Sequence, residues 1–283
     1  MKISFAFFGS SPFSVAVLNT LARENKLPAL IVASPDKPQG RHMVLTPPVT
    51  KIWAEKHHIP VLQPQKIDPD FNLQLSAFDL EFFVVASYGK ILPNSLLSLP
   101  RLGVLNVHPS LLPKYRGASP FRSQILSDDR DTGVSIILLD EEVDHGPILG
   151  SQQVPIAPWP PKASALEATL GEAGGKLLAE MLPDFILGKL KPIPQEHAKA
   201  TFTKKISKED GLLNLADDPY RNFLKIQALE GWPGTYFFAE KKGKRIRVVV
   251  KEAIYQDEKL SIIRVVPEGS GEMSYDEFLR GLR

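Results

Sequence analysis

Two polar residues that could take part in catalysis, Asn106 and His108, follow a short apolar run and lie two positions apart. If that run is a buried strand, both side chains share a face and project side by side from its end. An amide and an imidazole can both donate hydrogen bonds to an oxyanion. Pro109 and Pro113 cannot continue a strand ladder, and Gly117 frees the backbone again. The pattern is typical of the ligand-binding strand ends of open α/β sheets.

A third polar residue, Asp144, follows a second apolar run at residues 132–139. A carboxylate beside an imidazole can orient the ring, stabilise its charged form or collect a proton. Plainer interpretations exist, because Asn106 and His108 could be ordinary turn residues and Asp144 could begin an ordinary turn before Gly146. His108 and Asp144 could also bind a metal, although a metal site usually needs at least a third protein ligand and the sequence shows none nearby. The residue types alone leave these alternatives open.

The three residues and the SLLP segment at residues 110–113 resemble the signature of the formyltransferases that use 10-formyltetrahydrofolate. In such a reaction an amine attacks the formyl carbon, an oxyanion is stabilised, and a proton leaves the nitrogen. The resemblance implies that Asn106, His108 and Asp144 are catalytic and that no metal is needed. It also implies a folate-binding set: Ser110, Leu111, Leu112, Pro113, Tyr88, Gly89 and Asp140.

The loop that carries Asp144 departs from the usual pattern of this family. Glu142 stands where a glycine is common, and His145 stands where a threonine is common. Both flank the expected pterin-binding segment, so its backbone shape cannot be carried over from the family.

Within that family the chain most resembles the members that act on methionyl-tRNA. A Pro-Asp-Lys-Pro-x-Gly-Arg pattern in the long segment 34–48 resembles their tRNA-contacting loop, and residues 204–211 resemble their entry into a C-terminal domain. Residues 241–251 contain six basic residues and no acidic one, and alternate residues of a strand there would share a face that could bind phosphates. A charged hairpin tip that keeps a sheet edge soluble is the plainer alternative. The implied tRNA-binding residues are Lys37, Arg41, Lys204, Lys205, Arg245 and Arg247.

The function that the resemblance implies is transfer of a formyl group to the α-amino group of methionine on initiator methionyl-tRNA, for translation initiation. The C-terminal half is shorter than is usual for these enzymes, so the resemblance does not decide whether it binds RNA. Three alternatives therefore stay open: a sugar-nucleotide N-formyltransferase, a formyltetrahydrofolate hydrolase and a non-catalytic RNA-binding protein.

The composition is that of an ordinary globular protein, with 43% hydrophobic and 23% charged residues among 283. A formal net charge of +2 means that any RNA must be bound by local positive charge. The chain has no cysteine and hence no disulfide or thiolate nucleophile. We expect a monomer in the cytoplasm that does not contact a membrane.

Alternating strands and helices up to about residue 190 predict an α/β fold, with a Rossmann-like, mostly parallel sheet flanked by helices. Short strands after residue 202 predict a small, shortened OB-like β-barrel, the fold that the family has there. The predicted domains are a formyltransferase catalytic domain at residues 1–190, a linker at 191–203 and an OB-like tRNA-binding domain at 204–283.

Four local predictions concern the flanking elements. Segment 34–48 is predicted to be an irregular loop, and residues 49–58 a helix with Ile52 and Trp53 facing inward. Ser164 and Glu167 are predicted to form a capping box that opens a helix, and Pro183 to interrupt that helix.

Overall fold

The computed structural model describes residues 4–40, 43–241 and 243–282, with the side chain of Gln39 excepted. The chain forms two compact units. The first comprises Met1–Pro120, Asp131–Pro155 and Glu167–Thr203, and the second comprises Phe121–Arg130, Ile156–Leu166 and Lys204–Arg283. Residues 191–203 thus belong to the first unit, and two earlier segments belong to the second. The division into catalytic and tRNA-binding domains stays a prediction.

The secondary structure comprises strands and helices throughout both units. The strands are β1 Phe5–Phe8, β2 Leu30–Val32, β3 Lys37–Gln39, β4 Val44–Thr46, β5 Val61–Leu62, β6 Phe82–Val85, β7 Val104–His108, β8 Arg116–Gly117, β9 Gly133–Leu138, β10 Ile148–Gln153, β11 Phe202–Thr203, β12 Thr235–Lys241, β13 Lys244–Gln256, β14 Lys259–Pro267 and β15 Met273–Ser274. The helices are α1 Pro12–Arg23, α2 Val49–Lys56, α3 Pro69–Ser76, α4 Asn94–Leu97, α5 Pro120–Leu126, α6 Ala163–Ile186, α7 Pro219–Ala228 and α8 Tyr275–Arg280.

A seven-stranded sheet in the order β10-β9-β7-β6-β1-β2-β5 forms the centre of the first unit. The five strands from β7 to β5 are parallel, and β9 is antiparallel to both of its neighbours, β7 and the edge strand β10. The predicted mostly parallel sheet is therefore confirmed. Strands β1, β2 and β6 are continuous buried apolar runs because helices cover both of their faces.

The first strand and helix follow directly from local sequence. β1 consists of four buried residues, and Ser11 caps α1 through a capping box with Ser14 while Pro12 occupies the first turn. Phe5 stacks on Phe82 of β6, with ring centroids 5.1 Å apart. The first βα unit is thus fixed by a cap at one end and by aromatic packing in the sheet.

Helix α6 corrects two of the local predictions. It begins at Ala163, so Ser164 lies within its first turn, and it continues past Pro183. The Ser164 hydroxyl donates to Glu230 Oε2 (2.6 Å), and Glu167 Oε1 accepts from the Phe13 N–H (3.0 Å). The predicted capping box is wrong because both side chains have tertiary partners within their own units.

The glycines of α6 lie on the face that packs against the sheet and α1. A Cβ at Gly174 would lie 2.5 Å from Val107 Cγ1 of β7, and one at Gly171 would lie 2.6 Å from Ala16 Cβ of α1. These residues therefore let α6 approach β7 and α1 more closely than any larger residue would allow.

Two predictions before residue 58 are also corrected. Residues 37–46 include the antiparallel hairpin β3–β4, where the sequence predicted only an irregular loop. In α2, Trp53 is buried as predicted, but Ile52 is 51% exposed. A helix of eight residues has room for only a narrow buried stripe, and Thr50, Trp53 and Ala54 fill it.

The second unit contains an antiparallel sheet in the order β12-β13-β14-β15. Its core includes Phe237, Val248 and Val265 of the sheet, with Ile226 of α7 and Phe278 of α8. The predicted β-rich part after residue 202 is confirmed, although β13 and β14, with 13 and 9 residues, are longer than the short strands that the sequence predicted. The described residues provide four strands for this sheet, one fewer than the five of an OB barrel.

None of the helices in the described part of the chain has the length and apolar composition of a membrane span.

Candidate active site

Strand β7 carries Asn106 and His108 on one face of the sheet. Val104 packs in the cluster beneath α3 and α4, whereas Val107 lies against Gly174 of α6. Because side chains alternate along a strand, Asn106 and His108 lie on the same face as Val104. Both are buried. The sequence predicted this pairing correctly.

Asp144 reaches the other two residues by a route that the sequence did not indicate. β9 is antiparallel to β7, so its carboxyl end lies beside the start of β7, where the Leu139 N–H donates to Val104 O (2.8 Å). The connection between β9 and β10 then brings Asp144 to Asn106 and His108. The rule that chemistry gathers at carboxyl ends of strands therefore holds for β7 but does not explain the position of Asp144.

The Asp144 carboxylate joins the three side chains. Asn106 Nδ2 donates to Asp144 Oδ1 (3.1 Å), and His108 Nδ1 lies 3.6 Å from the same oxygen. The backbone N–H of Gly117 donates to Asp144 Oδ2 (2.8 Å). The Asp144 side chain is only 12% exposed, and each of its two carboxylate oxygens accepts a hydrogen bond.

The hydrogen bonds of His108 identify its tautomer. His108 Nε2 lies 3.0 Å from the backbone oxygen of Tyr115, and a carbonyl oxygen can only accept. Nε2 therefore carries a hydrogen, and in the neutral ring Nδ1 is a lone pair that faces Asp144. A proton on Nδ1 would lie between the imidazole and the carboxylate. The arrangement is that of a proton acceptor with a carboxylate beside it.

The SLLP segment is ordered by hydroxyl groups beneath it. Ser110 Oγ donates to Lys114 O (2.7 Å), and Ser135 Oγ accepts from the Leu112 N–H (3.1 Å) and donates to Ser110 O (2.8 Å). Ser110 and Leu112 are buried, whereas Leu111 and Pro113 are half-buried. The backbone of the segment is thus held in one conformation beside His108.

The remaining predicted folate-binding residues lie in different environments. Tyr88 is buried with its ring edge against Phe8, centroids 5.5 Å apart, and burial raises the pKa of its phenol to about 12. Gly89 is exposed, with a φ of +80° that favours glycine. Asp140 Oδ2 lies 2.7 Å from His145 Nδ1. All three belong to the first unit, and their role in folate binding stays a prediction.

The predicted tRNA-binding residues that the structure describes are mostly exposed. Lys37 lies on the β3–β4 hairpin, and Lys204 and Lys205 open the last segment of the second unit. Arg41 lies outside the described residues.

The two predicted arginines of β13 stack on aromatic rings. The guanidinium carbon of Arg245 lies 3.9 Å from the ring centroid of Phe238, and that of Arg247 lies 3.7 Å from the centroid of Tyr236. Cation–π contacts of this kind attract the guanidinium groups to the aromatic rings of β12. The two arginines share one strand face, as predicted.

Four groups around the site escaped prediction from the sequence. They are the Tyr115 carbonyl, the Gly117 N–H, the side chain of Gln195 and the side chain of Arg116, which is buried and donates to Gln195. Backbone groups leave no trace in residue type, although Gly117 with its φ of +107° marks an unusual turn. Gln195 lies in the segment predicted as a linker, and nothing in its neighbourhood indicates a role.

The chain matches known proteins along most of its length. Residues 1–182 match the formyl transferase family. A methionyl-tRNA formyltransferase from Halalkalibacterium halodurans is 43% identical over 83% of this chain and 74% of the relative. Another, from Geobacillus sp., is 36% identical over 99% of this chain and 94% of the relative.

Solved structures with the same fold include a methionyl-tRNA formyltransferase from Clostridium thermocellum, with a TM-score of 0.64 and 15% identity, covering 95% of this chain and 100% of that one. HypX from Aquifex aeolicus, solved in complex with tetrahydrofolic acid, has a TM-score of 0.65 and 15% identity, covering 99% of this chain and 47% of that one. At a sequence identity of 15%, these structures show only that the fold is shared. The family match and the sequence relatives, which extend over most of the chain, place this protein in the formyl transferase family, among the methionyl-tRNA formyltransferases.

Proposed function

We propose that this chain transfers a formyl group from 10-formyltetrahydrofolate to the α-amino group of methionine on initiator methionyl-tRNA. The observation that carries the proposal is the meeting of Asn106, His108 and Asp144 at one carboxylate, in a chain that matches methionyl-tRNA formyltransferases along nearly all of its length. A nearly complete match argues for the same acceptor as well as the same chemistry.

The site supports a direct transfer. The amine nitrogen attacks the formyl carbon, the carbonyl oxygen becomes an oxyanion, and the nitrogen becomes positively charged. Asn106 donates one N–H to Asp144 and has a second one for the oxyanion. One such donor is typically worth about 2.7–4 kcal/mol in the transition state.

His108 and Asp144 supply the proton transfer. His108 Nδ1 takes the proton from the charged nitrogen, and Asp144 beside it stabilises the imidazolium that forms. The oxyanion then collapses, the bond from the formyl carbon to N10 of the folate breaks, and N10 takes the proton that His108 collected, which returns the imidazole to its neutral form. Because the Nε2 hydrogen is engaged by Tyr115 O, Nδ1 is the ring atom that we assign to this step.

The SLLP segment is suited to bind the folate. Its backbone is fixed by Ser110 and Ser135, so little conformational entropy would be lost when a planar pterin binds along it. A solved relative of the same fold, HypX, binds tetrahydrofolic acid. We assign Ser110, Leu111, Leu112, Pro113, Tyr88, Gly89 and Asp140 to the folate site.

Positively charged groups suited to RNA lie in both units. Lys37, Lys204 and Lys205 are exposed, and Arg245 and Arg247 present guanidinium groups already ordered by aromatic rings. A pre-ordered guanidinium loses less entropy when it meets a phosphate. We assign these five residues and Arg41 to tRNA binding.

A formylation assay tests the proposed function. Charged initiator methionyl-tRNA, an amino-sugar nucleotide and buffer alone are each offered with 10-formyltetrahydrofolate, and product formation is measured. We expect transfer to the tRNA and neither sugar formylation nor rapid hydrolysis. Asn106→Ala and His108→Ala should lose turnover while circular dichroism shows an intact fold. Full activity in both variants would remove the site assignment.

The expectations of a monomer, of a cytoplasmic location and of a reaction without a metal stay predictions. The chemistry above needs one chain and its own side chains only, which supports a monomer and a reaction without a metal. The cytoplasmic location is part of the proposal because the proposed acceptor takes part in translation initiation.

A further inference from the structure

One buried side chain outside the three catalytic residues holds the turn that carries Asp144. Gln195, 5% exposed, donates through Nε2 to Asp144 O (2.9 Å) and to Gly146 O (2.7 Å). Its Oε1 accepts from Arg116 Nε (3.2 Å) and Nη2 (2.7 Å). Both hydrogens and both lone pairs of the amide are therefore used.

These partners allow only one orientation of the Gln195 amide. A guanidinium can only donate, and backbone carbonyls can only accept. A flipped amide would place its N–H₂ against Arg116 and its oxygen against two carbonyl oxygens, losing four hydrogen bonds. Arg116 thus fixes the direction in which Gln195 presents its donors to the turn.

Arg116 is itself held from several sides. It is 3% exposed, lies in β8, which pairs with β11, and its Nη2 is 2.9 Å from His197 Nδ1. The His197 ring stacks on His145 at 4.1 Å. The residue after Arg116 is Gly117, whose N–H donates to the Asp144 carboxylate. β8 therefore holds Asp144 by its carboxylate through Gly117 and by its main chain through Gln195.

Asp144 needs such support because of its backbone conformation. Its φ of +50° lies in the left-handed region, which is less favourable for a residue with a side chain than for glycine and which aspartate adopts where hydrogen bonds support it. We infer that Gln195 is a positioning residue that keeps Asp144 in this conformation, with its carboxylate against Asn106 and His108, and that Arg116 orients Gln195 for that task. The inference rests on the proposed formyl transfer.

Kinetics on the full chain test it with two substitutions. Gln195→Ala removes all four hydrogen bonds, whereas Gln195→Glu keeps acceptors for Arg116 and removes the donors to the turn. Because a misplacement of about 1 Å can cost about 100-fold in rate, we expect kcat to fall about 10- to 100-fold in both. KM for methionyl-tRNA should change less than about twofold, since Gln195 is buried beneath the turn.

Asn222→Ala is the matched control. Asn222 is also 5% exposed and donates through Nδ2 to a backbone carbonyl, that of Asn214 (2.9 Å), within the second unit. It should lower stability as a lost buried amide does and leave kcat unchanged. A merely structural Gln195 would behave in the same way, so an unchanged kcat in both Gln195 variants overturns the inference.

Amide hydrogen exchange gives a readout independent of activity. If Gln195 positions the turn, the Gly117 N–H that is bonded to Asp144 should exchange faster in both Gln195 variants than in the parent or in Asn222→Ala. Unchanged exchange at Gly117 overturns the inference. If the parent chain transfers no formyl group, the proposed function fails, and Gly117 exchange still decides whether Gln195 holds the turn.

Discussion

The Asp144 carboxylate connects all the groups proposed for catalysis. One oxygen faces Asn106 and His108, and the other accepts from Gly117. The sequence was enough to predict that Asn106 and His108 share a face, because side chains alternate along a strand with a period of two residues. The contacts of Asp144 could not be predicted from the sequence. They depend on the conformation of the nine-residue connection between β9 and β10 and on backbone groups that any residue would supply.

Asp144→Asn tests the charge of this residue at nearly constant shape. An amide can still bond to Gly117 or Asn106, but it cannot stabilise an imidazolium or take a proton. We expect kcat/KM for formylation to fall by about 10²–10⁴-fold, the usual range for a proton-transfer group. Steady-state rates and a thermal unfolding curve check this.

Glu142→Gln is the control for that substitution. Glu142 belongs to the same connection and carries the same charge, but its side chain is exposed. Its rate should match the parent. Equal losses in both variants would mean that the charge of the connection matters and that Asp144 has no special role.

The elements that could be predicted from the sequence are those with strong local signals. β1, α1 with its Ser11 cap and the start of β7 follow from apolar runs and a capping residue. The start of α6 was wrong because Ser164 and Glu167 have distant partners that no local pattern contains. The close packing of α6 on β7 could not be predicted either. A glycine within a helix indicates only a less stable helix, as long as the residue that packs against it is unknown.

Gly174→Ala tests how tightly α6 supports the strand with the catalytic residues. Val107, between Asn106 and His108, would have to move from a Cβ placed 2.5 Å away, and its branched side chain has few alternative rotamers. Overpacking typically costs about 1–3 kcal/mol, which exceeds the gain of about 1 kcal/mol from alanine in a helix. We therefore expect a lower free energy of unfolding and slower turnover, measured by denaturation and by the formylation assay.

Two further variants interpret that result. Gly271→Ala adds the same methyl group where no heavy atom of the described residues lies within 4 Å, so its effect should be small. The double variant Gly174→Ala with Val107→Ala should be more stable than the sum of the single effects predicts, because the smaller strand residue leaves room for the methyl group. Simple additivity would show that the contact with Val107 is not the cause.

The base of the β3–β4 hairpin contains a pH-sensitive connection. Gln63 Nε2 (2.7 Å) and Lys51 Nζ (2.9 Å) donate to the Asp36 carboxylate, and these hydrogen bonds hold the pKa of Asp36 below its usual value. A depressed folded pKa stabilises the fold above the unfolded pKa, about 3.9, and this contribution is lost as the pH falls through the folded pKa.

Asp36→Asn should therefore lower the free energy of unfolding at pH 7 relative to the parent. The difference should stay constant down to about pH 5 and shrink below about pH 4, where the parent protonates Asp36. Denaturant titrations at several pH values measure it. The exposed Asp79, between α3 and β6, provides Asp79→Asn as a control that should show no such pattern. A difference independent of pH would show that the carboxylate charge has no part in holding the hairpin.

For the whole molecule, a net charge of +2 gives no long-range attraction for RNA, so binding must come from a few local groups. Lys37→Ala and Lys205→Ala should each weaken tRNA binding, and the loss should be greatest at low salt. Each phosphate contact removed should reduce the slope of log K against log salt by about 0.7–0.9, measured by filter binding at several salt concentrations. Lys189→Ala removes an exposed lysine outside the predicted set, one that pairs with Asp184 at 3.8 Å, and should leave the slope unchanged. If Lys37→Ala matches Lys189→Ala, Lys37 does not contact the tRNA. If Lys205→Ala does so too, any RNA binding by the second unit must depend on Lys204, Arg245 and Arg247.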